Sequence, residues 1–89
     1  MTSACRALGH PLRRVLLQAL SQGECDVGSL SAGLGVDQPT VSKHLAALRS
    51  AGLVQARVDG RRRCYSLAHE TVVKPLLGLL AELEARSSR

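Results

Sequence analysis

The chain has no tryptophan, no phenylalanine and a single tyrosine, Tyr65. A core without aromatic bulk must be built from Leu, Val and Ala, and in 89 residues such a core is thin. Extra burial against a second copy is therefore expected. No stretch approaches the roughly 20 apolar residues of a membrane span, and the N-terminus has no signal-peptide pattern. A cytoplasmic protein with no membrane partner is the expectation. The three cysteines, Cys5, Cys25 and Cys64, form neither a C-x-x-C pair nor a zinc-finger spacing. Their odd number argues against a disulfide framework, so reduced thiols are the default. A phosphate-binding glycine motif, a supported Cys–His or Ser–His pair and a carboxylate pair in a plausible cleft are also missing. No catalytic residue and no enzymatic activity are expected.

Acids are scarce where bases gather. From Lys43 to Arg63 there are six bases (Lys43, Arg49, Arg57, Arg61, Arg62, Arg63) against one acid, Asp59, an excess that equals the whole net charge of +5. A polyanion is the natural partner for such a segment, although a solvated basic face has the same composition.

The stretch from Val36 to Leu53 organises the rest. Asp37 is a good N-cap, Pro39 suits the first turn, and Gly52 suits a left-handed C-terminal stop. At about 100° per residue, Val41, Leu45 and Leu48 share one face. Thr40, Ser42 and Lys43 lie on the other side, with Pro39, Ala46 and Ser50 central to that outer face. The result is a helix with an apolar back and a small, polar, cationic front, which suits close approach to a DNA groove.

Upstream, Ala4, Cys5, Ala7 and Leu8 allow a short helix that needs something to dock on. A second helix opens at Pro11, after Gly9 or His10, and carries Leu12, Val15, Leu16, Ala19 and Leu20, with Arg13, Arg14 and Gln18 outward. Gly23 closes it. Glu24–Asp26 reads as an extended link whose Asp26 caps a third helix bearing Val27, Leu30 and Leu34. The tight connection Leu34-Gly35-Val36-Asp37 puts Gly35 where positive φ is needed, and Ala32 and Gly33 are small enough for two helices to approach closely. Residues 27–51 thus form a helix-turn-helix.

Downstream, Val54, Ala56 and Val58 alternate with Gln55 and Arg57, and Asp59-Gly60 is a hairpin turn signal. The returning strand, Arg62–Leu67, has Tyr65 and Leu67 inward, Arg62, Cys64 and Ser66 opposite, and the stem of Arg63 packed. A basic hairpin over residues 53–67 after such a helix is a wing. The last helix, about Glu70 to Arg86 with Thr71 as its cap, bears Val72, Val73, Leu76, Leu77, Leu79, Leu80 and Leu83. That stripe is too broad for one contact surface. One edge fits the helix's own domain and the other needs a partner, unless the helix is wholly intramolecular. The predicted fold is mainly α with a small β-hairpin: one winged helix-turn-helix domain over residues 1–89, in the order α-α-α-α-β-β-α. It dimerises through its terminal helices (residues 1–9 and 70–86), with Leu8, Val72, Leu76, Leu79, Leu80 and Leu83 in the interface.

Three segments together resemble the ArsR/SmtB family of bacterial winged-helix repressors. They are Ala-Leu-Gly-His-Pro-Leu-Arg-Arg-Val-Leu-Leu (7–17), Gly-Val-Asp-Gln-Pro-Thr-Val-Ser-Lys-His-Leu-Ala-Ala-Leu-Arg-Ser-Ala-Gly-Leu-Val (35–54) and Asp-Gly-Arg-Arg-Arg-Cys-Tyr-Ser-Leu (59–67). The resemblance implies a homodimer that binds a palindromic double-stranded operator and is released by an effector. It implies DNA contacts from Gln38, Thr40, Ser42, Lys43 and His44, and wing contacts from Arg61 and Arg62. His44 borders the apolar face by periodicity and equally fits a structural hydrogen-bonding role.

The effector positions depart from the family. Where many members carry a Cys-x-Cys pair, this chain has Asp26 and Gly28, with Cys25 one place early. At the family's second metal site it has His69, Thr71, Glu82 and Ala85, of which only His69 and Glu82 could ligate. No metal and no cofactor are therefore expected. Three alternatives remain: a thiol sensor of redox, sulfur or soft-metal signals through Cys5 and Cys25, a repressor without effector, and a winged-helix protein-interaction module without sequence-specific DNA binding.

Overall fold

An interior with a single aromatic residue has to be filled by leucine, and it is. Leu16, Leu17, Leu20, Val41, Leu45 and Leu48 are at most 1% exposed, and Tyr65 joins them at 3%. A computed structural model describes residues 3–87, with side chains from Arg6 onward. The elements run α1 (Ser3–Leu8), α2 (Pro11–Leu20), β1 (Cys25–Asp26), α3 (Val27–Leu34), α4 (Gln38–Ser50), β2 (Val54–Asp59), β3 (Arg62–Leu67) and α5 (Glu70–Ser87). None of the helices is long and apolar enough to cross a membrane.

Local chemistry explains the boundaries. α2 starts at a proline, with the His10 side chain as its N-cap. α3 is capped by the Asp26 carboxylate and ends at Gly35, whose φ of 66° places it in the left-handed region. α4 is capped by Asp37. Past its end, Gly52 (φ 79°) donates to the Arg49 carbonyl and Leu53 to the Leu48 carbonyl, a Schellman closure.

The hairpin pairs Val54 with Leu67 through to Asp59 with Arg62, leaving Gly60-Arg61 as a two-residue turn. Gly60 has a φ of 62°, and glycine with positive φ in the first turn position is a primed-turn arrangement that matches strand twist. The sheet is larger than the hairpin expected from sequence. Cys25 and Asp26 form a third strand antiparallel to β3, in the order β1-β3-β2. Two residues are too few to show a period, and their pairing depends on a strand some 40 positions away in the chain.

Other expectations need correction. Ala32 and Gly33 are exposed, and a Cβ built at Gly33 meets nothing, so they do not bring α3 and α4 together. Leu30 is buried there instead, and Leu34 and Val36 pack on the same core. The packed face of the hairpin ends at Ala56 and Tyr65: Val58 is 70% exposed and Arg63 is exposed, so the wing tip projects beyond the core. Cys64 is buried although it lies on the other side of the sheet from Tyr65. Leu8, assigned to a dimer interface, is half-buried, with part of its side chain on the core of its own chain.

α5 begins at Glu70, not under a Thr71 cap. The His69 carbonyl receives the Val72 and Val73 N–H groups, and His69 itself has a φ of 52°. Val73 and Leu77 enter the core, whereas Val72, Leu79 and Leu83 are 65%, 60% and 60% exposed, with Leu76 and Leu80 half-buried. Positions 72, 76, 79 and 83 fall within about 60° of one another on a helix. They form a continuous apolar stripe that the described residues leave exposed at Val72, Leu79 and Leu83 and cover only in part at Leu76. Beside it, α2 and α5 enclose a groove of about 360 Å³ between Val15, Leu77 and Leu80, closed at one side by the Arg14–Glu84 ion pair.

Candidate nucleic-acid interface

The outer surface of α4 follows from its inner one. With Val41, His44, Leu45 and Leu48 buried, the residues that face solvent are Gln38, Pro39, Ser42, Lys43, Ala46, Arg49 and Ser50. No side chain larger than proline stands near the centre of this face, so the helix backbone is free to approach a flat or grooved partner closely. The N-terminal half carries the polar groups, where the helix dipole and Lys43 add positive potential.

The structure sorts the residues assigned to this face into three groups. Gln38, Ser42 and Lys43 are exposed and unobstructed. Thr40 is half-buried, and its hydroxyl donates to the Asp37 carboxylate at 2.8–2.9 Å while its N–H donates to the same group at 3.0 Å. Those two bonds hold the Asp37 carboxyl below its ordinary range. Thr40 therefore belongs to the cap of the helix before it belongs to any groove.

His44 is turned inward, 9% exposed. Its Nδ1 accepts from Arg13 Nε at 3.1 Å, and its ring lies 4.4 Å from that of His10. The expected groove contact gives way to the structural role that periodicity also allowed. Burial, then His10, Arg13 and Lys43 nearby, press its pKa below the usual 6.5.

This last arrangement has a pH signature. A histidine whose folded pKa is depressed contributes stability that is complete above its unfolded value and is lost as pH falls from there through the folded value. Lowering pH from about 7.5 to about 5.5 should therefore lower the urea midpoint. Glu24, Asp26 and Asp37, held below their ordinary values, release theirs only in a separate, more acid window. A midpoint unchanged between those two pH values would contradict the inward, neutral His44.

The wing is less positive than its sequence. Arg57 makes a bidentate pair with Glu24, at 2.8 and 2.6 Å, and Arg62 reaches Asp26 at 3.4 Å. Three acids, not one, thus share this surface, because β1 brings Asp26, and Glu24 just before it, up against β3. The Arg62 side chain remains 66% exposed, so its pair is weak and exchangeable for another anion. Arg61 at the turn, with Lys43, Arg49 and Arg63, has no acid partner among the described residues. Asp26 ties α3 to the wing: it caps α3 through Ser29 and holds Arg62 of β3, and beside it a Cβ at Gly28 would stand 3.2 Å from the Asp26 carboxylate and 3.7 Å from Gln38 Nε2 of α4.

The positions at which relatives would hold a metal offer little here. The Asp26 carboxylate is engaged by Ser29 and Arg62, Gly28 has no side chain, and Glu82 pairs with Arg86 at 2.7 Å. Among the described residues, no three His, Cys, Asp or Glu side chains converge. The Cys5 thiol lies outside the described side chains. Cys25 is half-buried, and burial followed by the Asp26 charge pushes its thiol up, the reverse of an activated cysteine.

Comparison with known proteins agrees with this geometry. The model of a family described as bacterial regulatory protein, arsR family, matches residues 10–56. A biofilm growth-associated repressor of Agrobacterium fabrum is 40% identical over 76 residues, which are 85% of this chain and 65% of that protein. The HTH-type transcriptional regulator CmtR of Mycobacterium tuberculosis is 44% identical over 71 residues, 80% of this chain and 60% of that one. The chain thus spans a little under two thirds of these curated relatives. Among solved structures, the homodimeric winged helix-turn-helix DNA-binding domain of a possible ArsR-family transcriptional regulator from Mycobacterium bovis superposes with a TM-score of 0.85. It is 35% identical, and the match covers 93% of this chain and 76% of that one.

Proposed function

The chain belongs to the bacterial ArsR family of regulatory proteins, and on that premise we propose that it is a DNA-binding transcriptional regulator acting as a homodimeric repressor. The observation that carries the proposal is the exposed face of α4, small at its centre and rimmed by Gln38, Ser42, Lys43 and Arg49. Such a face fits a major groove, with Gln38 and Ser42 within reach of base edges and Lys43 within reach of phosphate. The wing supplies Arg61 and Arg62 to the backbone beside it. Pairing two copies through the uncovered stripe of α5 gives the twofold symmetry that a palindromic operator requires. A repressor among the relatives and a homodimeric DNA-binding neighbour support the same reading. A bacterial DNA target fits a cytoplasmic location.

We assign the protein no metal effector and no cofactor, on the donor chemistry at Asp26 and Gly28 described above. The thiol-sensor reading through Cys5 and Cys25 is not adopted, because burial and the Asp26 charge push the Cys25 thiol up, away from reactivity. The protein-interaction reading is disfavoured by the four bases left without acid partners around α4 and the wing.

The test is selection of bound duplexes from a random library with the purified protein. The proposal predicts enrichment of inverted half-sites whose centres lie about one helical turn apart, or a multiple of it. Enrichment of no common sequence would leave the protein-interaction reading in its place.

A further inference from the structure

Arg13 projects from the first turn of α2, outside both elements assigned so far. Its Nε donates to His44 Nδ1 at 3.1 Å. The His44 ring is tilted 46° against that of His10, whose own Nδ1 accepts the Leu12 N–H at 3.2 Å as the cap of α2. Both imidazoles are therefore held with an unprotonated Nδ1 toward a donor. This mode of holding an arginine differs from the ion pairs that hold other arginines among the described residues. Arg14 is paired with Glu84, Arg57 with Glu24 and Arg62 with Asp26, and each carboxylate cancels the charge it positions. A neutral imidazole fixes the direction of Arg13 and leaves its full charge. Its terminal nitrogens have no acceptor among the described residues.

The position of Arg13 relative to α4 matters as much. Around the helix, Lys43 and His44 lie on one flank of the exposed face and Gln38 on the other. The Gln38 flank adjoins Gly28, Asp26 and, through Asp26, Arg62 of the wing. The His44 flank adjoins α2, where Arg13 sits. A helix in a major groove has a phosphate strand on each side, and the wing cations serve only one of them. We infer that Arg13 is a phosphate-contacting residue on the opposite strand from the wing, and that buried His44 is the positioning residue that aims it there. The inference rests on the DNA-binding reading above.

The test is the slope of log K against log salt on a selected two-half-site duplex, measured for the wild type and for Arg13→Gln, Arg13→Lys, Lys43→Gln, His44→Leu and His44→Asn. Each lost phosphate contact flattens the slope by about 0.9. Arg13→Gln should flatten it by that amount per engaged protomer, and Arg13→Lys should retain most of it. His44→Leu, which keeps the bulk and removes the acceptor, should weaken binding and flatten the slope. His44→Asn, whose carboxamide oxygen can stand in for Nδ1, should restore both. An unchanged slope in Arg13→Gln alongside a flattened one in Lys43→Gln overturns the inference while the DNA-binding reading stands. A wild type with no preference for the duplex over random DNA overturns that reading, and the inference with it. Should His44→Leu not fold, the Arg13 variants decide the contact, and equal slopes in His44→Asn and the wild type are still required.

Discussion

Leu79→Glu should convert the protein to monomers and remove most of its affinity for a two-half-site operator. Leu79 lies at the middle of the stripe formed by Val72, Leu76, Leu79 and Leu83, and at 60% exposed it is mostly uncovered by its own chain. In a symmetric pairing every stripe residue is buried twice. Each leucine so covered contributes on the order of 1.5–3 kcal/mol, and a glutamate in its place adds an unpaired buried charge. DNA affinity then falls because a monomer engages one half-site and forgoes the second, tethered contact, a loss of roughly 10²–10⁴ in avidity. Sedimentation equilibrium reads the first effect and duplex binding the second. Val73 and Leu77, which fasten α5 to the core, are untouched, so the monomer should keep its helical signal. Dimers that persist in Leu79→Glu would place the interface elsewhere.

The second large effect is expected from Ala46→Glu. Ala46 is exposed at the centre of the outer face of α4, where a small residue is what permits close approach. Glutamate is a good helix former, so the substitution costs the fold little. In a groove it would set a carboxylate among phosphates and block the approach of the backbone. Specific binding should drop by about 100-fold or more, roughly 3 kcal/mol, with the oligomeric state and melting temperature unchanged. Retained affinity would mean that α4 does not enter the groove by this face.

How much of this could be read from the sequence depends on how local the cause is. Asp37, Pro39, Gly35 and Gly52 mark the ends of the helix-turn-helix by rules that act within a few residues, and the structure follows each of them. The alternation in β2 and β3 likewise placed the hairpin, with the turn itself falling on Gly60 and Arg61. Contacts between distant residues were hidden. The strand at Cys25–Asp26 exists only because β3 returns beside it. With that strand come Glu24 and Asp26, which neutralise Arg57 and share Arg62, so a count of bases along the chain overstated the charge of the wing. Thr40 was read as an outward hydroxyl because helical angle alone ignores the competing carboxylate three residues before it. Arg13 was simply an outward arginine, since only folding brings it to His44. Leu8 and the α5 leucines were assigned to one interface. Packing grades them, leaving Leu8 half-buried against the core and Leu79 and Leu83 mostly exposed.

The most direct test of the central reading is the salt dependence of binding to a selected inverted repeat, compared with a scrambled duplex of equal length. Two copies presenting Lys43, Arg61, Arg62 and their neighbours to the backbone should lose affinity steeply and linearly in log salt, by about 10³-fold or more between 50 and 200 mM, while the inverted repeat keeps its advantage over the scrambled duplex throughout. Equal, weak binding to both duplexes, with a shallow slope, would contradict the reading of α4 as a DNA-recognition helix.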